Sequence, residues 1–148
     1  MSTHQIQHQV GIKASEDAVY KALTDPKQLA KWWTSDTRGK SEVGSHLEFW
    51  FGDFCQKFEV TALKPREFVH WKGTKEGMDE WAGTEIGFRL KSDNDQILVR
   101  FTHSNWAEDT DFLAHCSTKW AVFLLSLKDL LEKGKGRPAP EDLPINHS

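Results

Sequence analysis

Between His46 and His103 apolar side chains fall on alternate positions in five separate runs, and from Leu113 to Leu131 they recur every three or four residues. These two periods call for a sheet followed by one long helix. Leu47, Phe49 and Phe51 form the first run, Phe58, Val60 and Ala62 the second, and Val69 and Trp71 the third. Ile86, Phe88 and Leu90 make the fourth, and Ile97, Val99 and Phe101 the fifth. The intervening positions are largely polar, so one face of the sheet is expected to be buried and the other wet. The breaks hold Gly52-Asp53, Lys64-Pro65-Arg66, the stretch from Gly73 to Gly83, and Ser92-Asp93-Asn94-Asp95. Short breaks of this chemistry join antiparallel neighbours, which predicts a meander.

The final stripe (Leu113, Cys116, Trp120, Phe123, Leu124, Leu127, Leu131) predicts a helix from about Thr110 to Glu132. Such a helix is about 30 Å long, enough to cross a whole sheet. Gly134 is a natural stop for it. Upstream, Ile6, Val10 and Ile12 share one parity and predict a strand over residues 4–12. Ser15 has the chemistry of an N-cap, with Glu16 and Asp17 in the first turn of a short helix. Asp25-Pro26 then restarts a second helix that would run to Trp32 or Trp33. The polar, Pro-containing end reads as a loose tail over residues 135–148, following a single domain over 1–134.

This order predicts an α+β fold in which the last helix covers the apolar face of the sheet. A twisted sheet cannot stay in contact with a straight helix along its whole length, so a gap is expected at one end, under the two short helices. Phe49, Phe51, Phe58, Trp71, Phe88 and Phe101 share the inner parity and would line it. Periodicity reports burial and not emptiness, so a lined cavity and a filled core both satisfy the pattern. His103 continues the inner parity of Ile97, Val99 and Phe101 to the strand end. It is a candidate polar anchor, or a general acid/base with a titration near neutrality. No carboxylate is identified to orient it, so a satisfied core or rim histidine, or a ligand anchor, is favoured over catalysis, and no catalytic residue is assigned. Tyr20 either offers a hydroxyl to the cavity or faces solvent.

Other classes find little support. A net charge of −3 gives no field for nucleic acid. No apolar run approaches the ~20 residues that span a bilayer, so no membrane insertion is expected. The polar opening Met1 to Val10 lacks the apolar segment of a secretory leader, which predicts a cytoplasmic protein with Cys55 and Cys116 as free thiols. His4 and His8 would sit about 13 Å apart on a strand. His115 and Cys116 would diverge by about 100° on a helix. Neither pair can chelate one ion, and the chain has no CxxC, HExxH, P-loop, GxGxxG or GxSxG motif. No metal or cofactor is therefore expected.

Several local motifs together resemble a known family. They are Asp25-Pro26 with Leu29 and Lys31-Trp32-Trp33, Phe58-Glu59-Val60, and Leu63-Lys64-Pro65-Arg66-Glu67-Phe68-Val69. Thr84-Glu85-Ile86-Gly87-Phe88, Phe101-Thr102-His103-Ser104-Asn105-Trp106, and Trp120 with Leu124-Leu125 and Leu131-Glu132-Lys133-Gly134 follow in order. The chain resembles the Activator of Hsp-ninety ATPase homologue-like branch of the START/Bet v superfamily, the SRPBCC domains. The resemblance implies a helix-grip fold, in which a seven-stranded antiparallel sheet grips the C-terminal helix. Trp33, Trp106 and Trp120 match positions of that pattern and, with Leu124, join the expected pocket residues. The leading functional expectation is binding of a small hydrophobic or aromatic ligand. The alternatives are a cyclase or dehydratase using the pocket histidine, with Glu48, Asp53 or Glu85 available, and an interaction module. The module would make a chaperone or homodimer contact through a patch including Trp50, Phe54 or Trp81.

Overall fold

A computed structural model describes residues 3–145. Seven strands form one antiparallel sheet in the order β1-β7-β6-β5-β4-β3-β2. They are β1 (His4–Ile12), β2 (Asp36–Gly39), β3 (His46–Phe51), β4 (Phe54–Lys64), β5 (Phe68–Gly73), β6 (Glu85–Asp93) and β7 (Gln96–Trp106). From β2 to β7 the strands are a meander, and β1 closes the far edge by pairing with β7. The helices are α1 (Glu16–Thr24), α2 (Pro26–Leu29) and α3 (Asp111–Lys133). This is the α+β helix-grip architecture that the resemblance implied.

The local signals act as their chemistry requires. Ser15 accepts from the Ala18 amide at 3.1 Å, and Asp25 accepts from the Lys27 amide at 2.9 Å with Pro26 opening α2. Thr110 caps α3 by accepting from the Leu113 amide. Gly134 ends α3 at φ +83°, where a side chain would be strained. Asn94 at φ +57° turns β6 into β7, and Gly52 at φ +68° turns β3 into β4. The strand β2 was not legible as a run, since Asp36-Thr37-Arg38-Gly39 has no apolar alternation. It is an edge strand, with the Arg38 guanidinium over the Trp50 ring at 4.6 Å.

After Gly134 the chain makes backbone and side-chain contacts with the body of the domain over residues 137–142; residues 146–148 lie outside the described residues. The Ala139 amide donates to the Trp33 carbonyl at 2.7 Å, and the Ser35 amide donates to the Ala139 carbonyl at 3.1 Å. The Arg137 amide donates to Ser126 Oγ at 2.6 Å. Ala139 is itself buried. Residues 137–142 thus form a strap running back along α3 and across the end of α2. Paired backbone, not apolar periodicity, holds it there.

Candidate functional site

The inner face of the sheet is filled by rings. Trp33, just past α2, lies 4.0 Å from Phe49 and 4.8 Å from Trp120 between ring centroids. It stacks parallel to Trp71 at 6.3 Å, and Trp71 meets Phe88 edge-on at 5.4 Å. Phe58, Phe88 and Phe101 are wholly buried, and Leu124 nearly so. Close packing of this kind leaves no room for a guest at the centre of the grip.

His103 is buried at the end of β7, pointing inward as its parity predicted. Its hydrogen bonds fix its state. Trp120 Nε1 can only donate, and it donates to His103 Nδ1 at 3.1 Å. The ring proton therefore sits on Nε2, which donates to Thr84 Oγ1 at 2.8 Å. The Thr84 hydroxyl in turn donates to the Trp81 carbonyl at 2.7 Å. Burial pushes the His103 pKa down to about 3, so the imidazole is neutral at physiological pH. Both ring nitrogens are occupied, and no carboxylate bonds the ring among the described residues. Glu85 instead faces His70 at 3.5 Å, and Glu48 accepts from Trp50 Nε1 at 3.0 Å. His103 is thus placed to hold two tryptophans and not to exchange protons with a substrate.

Those two tryptophans form a wall of the cleft that does exist. A space of about 320 Å³ opens between the N-terminal half of α3, the β3–β4 turn, the loop carrying Trp81, and the strap. Its walls include Trp33, Phe51, Trp81, Phe112, Trp120 and Phe123, with Cys116 and Met78 between them. Phe54 and His115 stand at its sides, and Ala139, Asp142 and Lys119 bound it on the strap side. Lys119 and Asp142 form an ion pair. Burial pushes the Cys116 thiol up to about 12, partly offset by the nearby Trp81 indole N–H, so the sulfur remains a neutral thiol.

The gap is therefore not under the two short helices. Val19, Ala22, Leu23 and Leu29 of α1 and α2 are fully buried, and the Trp32 indole Nε1, packed edge-on to Phe88, donates to the Ala22 carbonyl at 2.8 Å. Of the residues expected to line a pocket, the structure brings Trp33, Phe51 and Trp120 to the cleft. It places Phe49, Phe58, Trp71, Phe88, Phe101, His103, Trp106 and Leu124 in the packed interior behind it. Tyr20 lies on α1, away from the cleft walls. Trp81 is buried and not part of a surface patch, whereas Phe54 is exposed. Sequence reasoning missed Met78, Phe112, His115, Lys119, Ala139 and Asp142. Only Cys116 and Phe123 carried a signal, as members of the helical stripe.

A family model described as Activator of Hsp90 ATPase homolog 1-like protein matches residues 13–132. The chain belongs to this family. Its similarity to the solution structure of the Aha1 dimer from Colwellia psychrerythraea is 53% in identity, over 90% of this chain and 99% of that one, with a TM-score of 0.84. Protein MLL2253 from Mesorhizobium loti shares the fold at a TM-score of 0.78 and 18% identity, over 88% of this chain and 98% of that one. CalU16 from Micromonospora echinospora does so at 0.75 and 19%, over 94% and 79%. No functionally curated protein matches the chain. No helix among the described residues is long and apolar enough to cross a membrane.

Proposed function

We propose that this protein binds a small apolar molecule, flat enough to lie between aromatic walls, in the cleft beside α3. The observation that carries the reading is the unfilled space of about 320 Å³ with rings on several sides of it. That volume stands at the lower end of the roughly 300–1,000 Å³ usual for ligand sites, which fits a molecule of one or two rings. Apolar burial among these rings supplies affinity. The enzyme reading has no support from His103, whose two nitrogens are spent on Thr84 and Trp120.

The seven tryptophans provide the test. Titration with 1-naphthalenemethanol, followed by the indole N–H signals in a proton–nitrogen NMR spectrum, should shift Trp33, Trp81 and Trp120. Trp50, on the far side of the sheet edge, should stay in place. Cys116→Phe puts a ring into the open space, where extra volume meets little resistance, and should weaken binding by about tenfold or more, with the fold intact. Binding unchanged by this variant, or shifts spread evenly over all the indoles, would remove the cleft from consideration.

A second reading has its own observation. The 53% identical relative from Colwellia psychrerythraea is described as a dimer. Here Leu125 is 57% exposed on the face of α3 turned away from the sheet, and Leu143 and Phe54 are also exposed. Self-association would cover such side chains. Sedimentation equilibrium at tens of micromolar should return the mass of two chains, and a mass of one chain there would end this reading.

A further inference from the structure

We propose that the molecule taken by the cleft is a small aromatic acid, whose carboxylate pairs with Lys119 in the place now held by Asp142. The inference rests on the cleft being a binding site, and it goes further by naming the charge of the guest. Among the described residues lining the cleft, Lys119 is the only lysine or arginine and Asp142 the only carboxylate. The two are in contact, and the Asp142 side chain is only 10% exposed against 26% for Lys119. A carboxylate so removed from water is held by its partner cation, because neither group is comfortable there alone. Lys119 also lies over the Phe123 ring at 6.0 Å, so the ammonium stands directly beside the apolar wall.

Asp142 has the placement of a built-in competitor. It belongs to no helix or strand. The bonds from the strap to the body of the domain come earlier, at Arg137 and Ala139, and Glu141 is tied only within the strap, its amide donating to the Pro138 carbonyl at 2.9 Å and its carbonyl accepting from Arg137 Nε at 2.7 Å. The Asp142 carboxylate fastens this end of the strap to α3 through Lys119. An incoming aromatic acid would set its ring among Trp33, Trp120 and Phe123 and exchange one carboxylate for another at Lys119. No net charge enters the cleft in that exchange, and Asp142 is released toward water. A neutral guest of the same shape gains nothing at Lys119, and an aromatic amine meets a like charge.

The full-length protein and two probes of matched shape, 1-naphthoate and 1-naphthalenemethanol, test this by calorimetric titration. Asp142→Asn removes the competitor's charge at nearly constant volume. It should tighten 1-naphthoate by about tenfold and leave the alcohol within about twofold. Lys119→Met should abolish the gain of the acid over the alcohol, and thermal melts establish that both variants remain folded. An Asp142→Asn variant that binds the alcohol as before, with an unchanged acid-to-alcohol ratio, overturns the inference and leaves the cleft reading standing. An equal gain for both probes likewise overturns it, since the strap would then act only as an obstacle. Failure of both probes to bind any form overturns the cleft reading itself.

Discussion

Trp33→Ala is expected to lower the stability of the protein by about 3–5 kcal/mol. Trp33 is 1% exposed and lies within ring-contact distance of Phe49, Phe51, Phe58, Trp71 and Trp120. Removing the indole deletes one face of each of those contacts at once. The surroundings cannot close the void, because Phe49 and Phe58 stand on neighbouring hydrogen-bonded strands and Trp120 is fixed by His103. The strap docks on the same residue, through the Ala139 amide on the Trp33 carbonyl, so distortion there spreads to the cleft rim. For a chain of this size, such a loss is a fall in Tm of roughly 6–20 °C. Trp33→Phe keeps part of the ring and should cost about half as much. Denaturant unfolding measures both. A loss below about 1 kcal/mol for the alanine variant would mean that the rings rearrange freely and that the interior is not close-packed.

The parity of the strands was legible because burial on one face forces it. Phe49, Phe58, Trp71, Phe88, Phe101 and His103 all turn inward as alternation requires. Local chemistry at Ser15, Asp25 and Gly134 was legible for a similar reason, since each satisfies backbone groups within a few residues of itself. The location of empty space was not legible. It depends on which rings meet, and Trp33 happens to fill the middle of the grip while Phe51 and Trp120 border its open end. Lys119 shares its helix with the apolar stripe but falls at its margin, and nothing in the pattern distinguishes it from a solvated lysine. Asp142 lies in a Pro-containing stretch whose composition reads as loose. Its position follows from backbone pairing between Ala139 and residues 33–35, a contact over a hundred residues long in sequence that no local period can encode.

Acidification should uncover His103. Its folded pKa is depressed to about 3 by burial, against an unfolded value near 6.5. Between those values the unfolded chain takes up a proton that the folded chain refuses. Stability is therefore complete above about pH 6.5, falls as the pH drops, and levels off near pH 3, with a slope approaching 1.4 kcal/mol per pH unit at most. From pH 7 to pH 4.5 the loss due to this residue is about 2–3 kcal/mol. His70, whose pKa is also lowered by burial, adds a smaller loss of the same sign. The structural cause is specific. A proton on His103 Nδ1 would face the Trp120 N–H donor, setting donor against donor at a fully buried position. His103→Gln keeps an acceptor for Trp120 and a donor for Thr84 but cannot titrate in this range. It should cost some stability at pH 7 and remove the steep acid limb, so that wild type loses about 2–3 kcal/mol more than the variant between pH 7 and pH 4.5. Urea unfolding at the two pH values measures the difference. Parallel profiles for the two proteins would show that His103 takes up its proton in the folded state as readily as in the unfolded chain, and the tautomer chain from Trp120 through His103 to Thr84 would then have to be abandoned.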